Sequence, residues 1–356
     1  MCGWASAEPI DRYHDNTTET LHDRRRISRP YGGRADSTLP SIRALGEALK
    51  PYVLKTPVQD RDAVGSLSHT PVNFKFELLQ ASGTFKARGA FSNLLGLDGA
   101  QRAAGVTCVS AGNHAVAVAY AAMRLGIGAK VVMIKPASPF RVGLCHRYGA
   151  EVVMADNGPS AFETVRRIEQ EEGRFFVHPF NGQRTVLGTA TLGDEWSTQA
   201  GALDAVILPI GGGGLAAGVS SAFRLAQPDC VIYGVEPEGA DAMAQSFAAG
   251  QPIKMGPMQG IADSLMAPHT EAYSYGLCRH NIERLVTVSD DQIRSAMRVL
   301  FEELKLAPEP ACAAATAALF GPLRDELAGK RVGVLLCGTN TDLSTLSRHL
   351  DAAPAA

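Results

Sequence analysis

The sequence lacks the features that mark membrane, secreted and nucleic-acid-binding proteins. Its 34 Lys and Arg against 36 Asp and Glu leave a formal net charge of −2, and so weak an overall field draws a chain neither onto nucleic acid nor onto anionic lipid. The long uncharged runs 105–123 and 205–223 are interrupted by polar residues, a proline and four glycines, which are not typical of a membrane-spanning helix. We therefore predict neither a nucleic-acid partner nor a membrane segment.

The sequence also lacks a secretory signal and a disulfide or zinc-binding cysteine pattern. Glu8, Asp11 and Asp15 stand where a signal peptide would carry a basic patch followed by an apolar run. The seven cysteines are odd in number and include no CxxC pair, which argues against a disulfide framework or a zinc cluster. These absences predict a cytoplasmic protein in which most cysteines are small buried side chains.

What the sequence does contain is the alternation of an α/β protein. Its 356 residues, 46% of them hydrophobic, predict two or three compact units at roughly 150 residues each. Residues 1–36 are polar with a basic triplet and are predicted to form a disordered or loosely packed leader. Beyond them, short Val/Ile-rich runs predict buried parallel strands at 106–109, 131–134, 152–154, 205–208, 231–235 and 332–336. Helical apolar periodicity predicts helices over 42–49, 87–95, 115–125, 160–170, 215–225 and 290–304.

Four consecutive glycines, Gly211, Gly212, Gly213 and Gly214, lie between a predicted strand and the predicted helix that starts at Leu215. Glycines at this position let successive backbone N–H groups converge on an anion at the positive end of a helix. The alternative is a tight turn that needs no ligand, but one or two glycines would suffice for that. We therefore predict a phosphate-binding loop, which matches neither the Walker nor the GxGxxG pattern.

Three further segments place small or polar residues at predicted strand ends or helix starts. In Ser82–Lys86, a lysine beside Phe85 is either a surface charge or a buried amine free for Schiff-base chemistry. In Ser110–His114, Asn113 is a helix cap or a ligand-binding amide, and His114 a base or a packing residue. Cys337–Asn340 follows the last predicted strand. A phosphate site, an amine able to form an imine and neighbouring polar groups together suggest pyridoxal phosphate.

At these residues the sequence resembles the serine/threonine dehydratase family of fold-type II pyridoxal-phosphate enzymes, within the tryptophan synthase β-like superfamily. Residues 77–90 (ELLQASGTFKARGA) are similar to the family's lysine motif, 110–115 to its asparagine loop, 211–215 to its tetraglycine loop and 337–340 to its last turn. The resemblance covers about residues 40–345 and keeps the family's motif order. It implies two domains, each with a largely parallel central sheet flanked by helices.

The resemblance also assigns roles to individual residues. It implies that Lys86 is catalytic, carries pyridoxal 5'-phosphate through a Schiff base and removes the α-proton, with the departing β-hydroxyl protonated by the cofactor phosphate. Phe85 would pack beside the ring, Asn113 bind its 3'-oxygen and Cys337 face its pyridine nitrogen, while the phosphate would be held by Gly211, Gly212, Gly213, Gly214 and Leu215. The substrate would be bound by Ser82, Gly83, Thr84, Ser110, Ala111, Asn113 and His114.

Departures from the family pattern narrow the expected activity. Ala111 stands where related serine racemases carry a serine, so we predict no racemase activity. Glu236 resembles one position of the family's divalent-cation site, but Ala242 replaces its second carboxylate, so we predict no metal. Residues 188–191 (GTAT) and Thr339 also depart from the family pattern, which leaves the choice of substrate open.

The resemblance thus predicts a lyase that deaminates serine, threonine or a bulkier β-hydroxy amino acid to a 2-oxo acid and ammonia. The alternatives are a β-replacement synthase similar to cysteine synthase and a catalytically silent pyridoxal-phosphate sensor. We expect a large domain from residues 37–104 and 182–352 and a small inserted domain from 105–181 that closes over a small-molecule substrate. We also expect a homodimer without a C-terminal regulatory domain.

Overall fold

Ten strands form two sheets within residues 38–135 and 137–354, the part of the chain that the computed structural model describes. The strands are β1 Val58–Asp60, β2 Val72–Phe76, β3 Val106–Val109, β4 Ala129–Ile134, β5 Glu151–Ala155, β6 Phe175–Phe176, β7 Ala205–Pro209, β8 Val231–Pro237, β9 Arg284–Val288 and β10 Val332–Leu336. One sheet has the order β1-β2-β10-β7-β8-β9 and the other β5-β4-β3-β6. All neighbouring pairs are parallel except β1 with β2.

Helices connect the parallel strands, as a parallel sheet requires. Their bounds are α1 Leu39–Leu49, α2 Asp62–Ser68, α3 Lys86–Leu95, α4 Gly99–Ala104, α5 Asn113–Leu125, α6 Pro139–Arg147, α7 Gly158–Glu172, α8 Gln183–Ala200, α9 Gly214–Ala226, α10 Ala242–Ala249, α11 Ala272–Asn281, α12 Asp290–Leu304, α13 Pro310–Phe320 and α14 Leu343–Asp351. Among the described residues, no helix is both long enough and apolar enough to cross a membrane.

The core of the larger sheet explains why its strands read as continuous apolar runs. Strands β2, β7 and β10 are buried at every residue, because helices cover both faces of a parallel sheet. Trp196 of α8 and Phe223 of α9 meet edge to face on one side, with ring centroids 5.3 Å apart. Trp196 also packs beside Gly333, near the amino end of β10, which is opposite to the end of the sheet from which the glycine loop emerges.

The predicted α/β class with largely parallel sheets is confirmed. The predicted strands at 106–109 and 332–336 and the predicted helix at 290–304 have the observed bounds. The four-stranded sheet lies within 105–181 and the six-stranded sheet outside it, but the division into two domains at those boundaries stays a prediction. The predicted leader, residues 1–36, lies outside the described residues.

The topology brings the sequence motifs to neighbouring strand ends. Strand β10 pairs with β2 on one side and with β7 on the other. The glycine loop follows β7, Cys337 follows β10, and α3 begins at Lys86, ten residues after β2 ends at Phe76. Because ligands in open α/β sheets bind beyond the carboxyl ends of the strands, this edge is where a site is expected.

Candidate active site

A cavity of about 260 Å³ lies at the carboxyl ends of the strands and takes its walls from both sheets. All the residues that were predicted to hold the cofactor line it, together with Ser110, Ala111 and His114 of the predicted substrate site. The former are Phe85, Lys86, Asn113, Gly211, Gly212, Gly213, Gly214, Leu215 and Cys337. The structure therefore brings together residues separated by up to 250 positions in the chain.

Three residues of the predicted substrate site do not line this cavity. Ser82, Gly83 and Thr84 pack instead against the turn after β10. The Asn340 side chain donates to the Ser82 carbonyl at 3.0 Å, and Thr84 pairs with Gly338 through a β-bridge. The predicted role of these three residues in binding the substrate stays a prediction.

Lys86 is the first residue of α3 and points into the cavity. Its Nζ donates a hydrogen bond to the carbonyl oxygen of Pro179 at 2.5 Å. Burial in the cavity wall lowers the pKa of the ammonium group to about 8, since desolvation disfavours the charged form. Lys86 is therefore an amine that loses its proton close to neutral pH, as imine chemistry requires.

Two neutral imidazoles lie near Lys86. His114 Nε2 is 2.8 Å from the carbonyl oxygen of Val177, and because a carbonyl only accepts hydrogen bonds, this nitrogen carries the proton. Burial, reinforced by the charge of Lys86, lowers the pKa of His114 to about 3 and that of His178 to about 4. Neither ring adds positive charge beside the lysine at neutral pH.

The side-chain amide of Asn113 is held in one orientation by its neighbours. Its Nδ2 donates to Glu309 Oε1 at 2.5 Å, and its Oδ1 accepts from Asn340 Nδ2 at 2.7 Å. The second N–H makes a long contact of 3.4 Å with Ser264 Oγ. This N–H is therefore the donor that the side chain can offer to a ligand oxygen.

The glycine loop is packed so tightly that side chains do not fit. A Cβ at Gly212 would lie 2.2 Å from the Phe180 ring, and one at Gly214 would lie 2.4 Å from the Phe180 carbonyl oxygen. Gly213 has a φ of +94°, a conformation that favours glycine. The loop leads directly into α9, whose first N–H groups have no acceptor within the helix. It therefore presents backbone donors to an anion.

Cys337 is buried beside Cys312, and its Sγ lies 3.8 Å from the carbonyl oxygen of Ala311. The contact with Cys312 and burial raise the pKa of the Cys337 thiol well above its usual value. The sulfur is consequently a neutral thiol in the wall of the cavity.

Sequence reasoning missed an ionic group in the same cavity. Arg141 Nη1 donates to Asp263 Oδ2 at 2.5 Å, Nη2 lies 3.4 Å from Glu309 Oε2, and Nε donates to the Asn340 carbonyl at 3.0 Å. Glu309 is buried, and desolvation raises its pKa. The one local signal in the sequence was Glu309, an acidic residue directly before the apolar helix α13. The sequence around Arg141 gives no such signal, because the residues that bind its side chain are over 120 positions away.

The residues around Glu236 do not fit the divalent cation that the family resemblance implies. Both carboxylate oxygens already accept hydrogen bonds, from the backbone N–H groups of Met243 and Ala244 at 2.8 Å each. Ala240 and Ala242 offer no side-chain oxygen. Glu236 thus caps the start of α10, and the absence of a metal here stays a prediction.

The groups that line the cavity do fit pyridoxal phosphate. The glycine loop supplies donors for a phosphate, Lys86 an amine for the aldehyde and Asn113 an N–H, bound at present only by the long contact with Ser264, for a ring oxygen. The thiol of Cys337 supplies a neutral neighbour for a pyridine nitrogen. This donor set is the observation on which the cofactor assignment rests from the side of the structure.

Comparisons with known proteins support the same conclusion. A family model described as "Pyridoxal-phosphate dependent enzyme" matches residues 49–338. The phenylserine dehydratase of Ralstonia pickettii is 72% identical over 88% of this chain and 97% of its own length. The β-hydroxyaspartate dehydratase of Paracoccus denitrificans is 35% identical over 87% and 98%. A solved structure of maize serine racemase is 34% identical, covers 88% of this chain and 97% of that chain, and superposes with a TM-score of 0.84.

Proposed function

The chain belongs to the pyridoxal-phosphate-dependent enzyme family, and from this premise we propose that it dehydrates and deaminates a β-hydroxy amino acid that carries an aromatic ring on its β-carbon. The predicted fold type, cofactor and dehydratase class are confirmed by the family match and by the dehydratase relatives. The aromatic substituent is the finer proposal. It is carried by the 72% identity to a phenylserine dehydratase.

The walls of the cavity support an apolar substituent. Val109, Ile134 and Phe162 line it from the side of the four-stranded sheet, and Leu265 and Met266 from the other side. Apolar and aromatic walls of this kind bind a phenyl ring through burial of its surface. The hydrogen or methyl group that serine or threonine carries on its β-carbon would leave much of this surface uncovered.

The charges in the cavity support the same choice. Arg141 would be the natural partner for a carboxylate on the β-carbon, but its guanidinium already binds Asp263 and Glu309. A second carboxylate would have to displace Asp263 and would meet the repulsion of Glu309. The cavity therefore favours an uncharged ring over a β-carboxylate.

The mechanism follows from what the side chains of this chain can do. Bound pyridoxal phosphate supplies an electron sink for negative charge at the α-carbon of an amino acid. The amine of Lys86, with a pKa of about 8, is partly neutral at pH 7 and is the base we propose for the α-proton. The Pro179 carbonyl holds its Nζ in place. His114 stays neutral and does not compete as a cation for the substrate carboxylate.

The product test is direct. Purified enzyme with pyridoxal phosphate is given phenylserine, serine, threonine or 3-hydroxyaspartate, and 2-oxo acid and ammonia are both assayed. We expect phenylserine to give phenylpyruvate and ammonia with the highest kcat/KM, and Lys86→Ala to give neither. A higher kcat/KM for serine or threonine would contradict the aromatic substrate. A substituted amino acid formed with an added thiol would favour the β-replacement alternative, and no product from any substrate would favour the sensor.

We also propose the finer properties that the family resemblance implies. A homodimer is expected, and light scattering after size-exclusion chromatography would determine the mass. A cytoplasmic location is supported by the buried free thiols among the described residues, since the cytoplasm keeps thiols reduced. Closure of the 105–181 unit over the substrate is proposed as part of turnover.

A further inference from the structure

A short turn at residues 178–181 lies between Lys86 and the glycine loop. It connects β6 to α8 and belongs to none of the four sequence motifs. Its backbone contacts Lys86 and the Phe180 side chain contacts the glycine loop, so the turn joins two parts of the site that are distant in the chain. Its conformation therefore affects the position of Lys86 relative to the glycine loop.

The imidazole of His178 stabilises this turn through hydrogen bonds with its backbone. Its Nδ1 accepts hydrogen bonds from the backbone N–H of Phe180 at 3.3 Å and from that of Asn181 at 3.0 Å. Because Nδ1 is an acceptor, the ring is the neutral tautomer with its proton on Nε2. The geometry is that of a turn in which a side-chain acceptor bonds backbone N–H groups two and three residues further along.

The closed turn presents one group to Lys86 and another to the glycine loop. The Pro179 carbonyl accepts the hydrogen bond from Lys86 Nζ at 2.5 Å. The Phe180 ring lies against Gly212, where it leaves no space for a Cβ. The hydroxyl of Ser274 donates to the Phe180 carbonyl at 2.7 Å and fixes the turn from the side of α11.

The His178 ring also packs directly on Phe180. The two rings meet edge to face with centroids 4.8 Å apart, and Phe180 contacts His269 in the same manner with centroids 5.8 Å apart. One imidazole thus determines both the backbone of the turn and the placement of the ring that backs the glycine loop.

We propose that His178 is a positioning residue, which closes the 178–181 turn and so sets the Pro179 carbonyl against Lys86 and the Phe180 ring against Gly212. Its contribution is the acceptor Nδ1 and not proton transfer. A side chain with an acceptor at the same distance from the backbone should therefore replace it. Asparagine is that side chain, since its Oδ1 forms the same turn.

The test compares His178→Asn with His178→Leu, which fills the space but offers no acceptor. The Kd of pyridoxal phosphate is measured by fluorescence titration, and the pH midpoint of the bound cofactor's absorption is measured for each variant. We expect His178→Leu to weaken cofactor binding at least tenfold and to shift the pH midpoint, because Lys86 loses its fixed acceptor. His178→Asn should stay within threefold of the unchanged protein in Kd and keep the midpoint.

The same two variants can refute the proposal. It is wrong if His178→Leu binds the cofactor within threefold of the unchanged protein, or if His178→Asn is as weak as His178→Leu. Should His178→Leu fail to fold by circular dichroism, Ser274→Ala provides the second test, because it removes a support of the turn without touching the imidazole. An unchanged cofactor Kd and pH midpoint in Ser274→Ala would then contradict the role of the turn. None of these readouts uses a substrate, so the result is independent of the proposed aromatic substrate.

Discussion

Gly212→Ala tests the glycine loop at its tightest contact. A Cβ added at Gly212 would lie 2.2 Å from Cγ of Phe180, where ordinary contacts begin at 3.4 Å. The ring would have to retreat by about 1.2 Å, and it is itself in edge-to-face contact with both His178 and His269. Overpacking of this size costs about 2 kcal/mol. If the strain is relieved by displacement of the loop, the same figure predicts about 30-fold weaker cofactor binding.

The assay for this variant is fluorescence titration with pyridoxal phosphate, with thermal unfolding of the cofactor-free protein measured in parallel. The matched control is Gly46→Ala in α1, where an added Cβ meets nothing within 4 Å. We expect this control to bind the cofactor normally and to unfold at the same or a slightly higher temperature, since alanine is the better helix former.

A double variant isolates the cause. In Gly212→Ala/Phe180→Ala the obstructing ring is gone, so the cost of the added methyl group should be far smaller than in the single variant. The reasoning is refuted if Gly212→Ala binds the cofactor with unchanged affinity and melts at an unchanged temperature. Equal losses from Gly212→Ala with and without the Phe180 ring would show that the ring is not the obstacle.

Three further results are expected. In the cofactor-free protein, the pKa of Lys86 is lowered from 10.5 to about 8. Between these two pH values the unfolded chain binds more protons than the folded one, so the free energy of unfolding should rise with pH. Urea denaturation would measure this rise, which should be smaller in Lys86→Met. Glu195 pairs with both Lys75 and Arg88. Glu195→Gln leaves buried positive charge unbalanced and should destabilise the fold by about 3 kcal/mol. An unchanged urea midpoint would contradict this. Asp263→Asn frees one side of the Arg141 guanidinium and should raise kcat/KM for 3-hydroxyaspartate relative to phenylserine, whereas an unchanged ratio would mean that Asp263 does not control the choice.

Elements with a clear period or clear ends could be predicted from the sequence, and elements defined by distant partners could not. Helix α12 has an apolar stripe and a capping box at Ser289, and its predicted bounds are the observed ones. Helix α13 was missed because its residues 310–319 are buried on every side, which leaves no stripe to detect. Strand β2 was missed because it contains Asn73 and Lys75, which are buried with partners on α8.

The same distinction applies to the site. Lys86, Asn113 and the glycine loop belong to compact local motifs, and the structure places them in one cavity. Ser82 was assigned to the substrate site by the family resemblance; it does not line the cavity, and its carbonyl accepts a hydrogen bond from Asn340 at the other end of the chain. Arg141 could not be predicted, because its role depends on partners that only the folded chain brings near.

The electrostatics of the site follow from which of its groups are neutral. Burial lowers the pKa of the His114 imidazole to about 3, and the contact with Cys312 together with burial raises the pKa of the Cys337 thiol, so both groups are uncharged at neutral pH. Arg141 is balanced by the carboxylates that bind it. The field that a bound anion meets is therefore dominated by Lys86 and by the backbone dipoles at the start of α9. A phosphate at the glycine loop and an amino-acid carboxylate would both be attracted by these groups, while an uncharged aromatic ring would meet the apolar wall without displacing an ion pair.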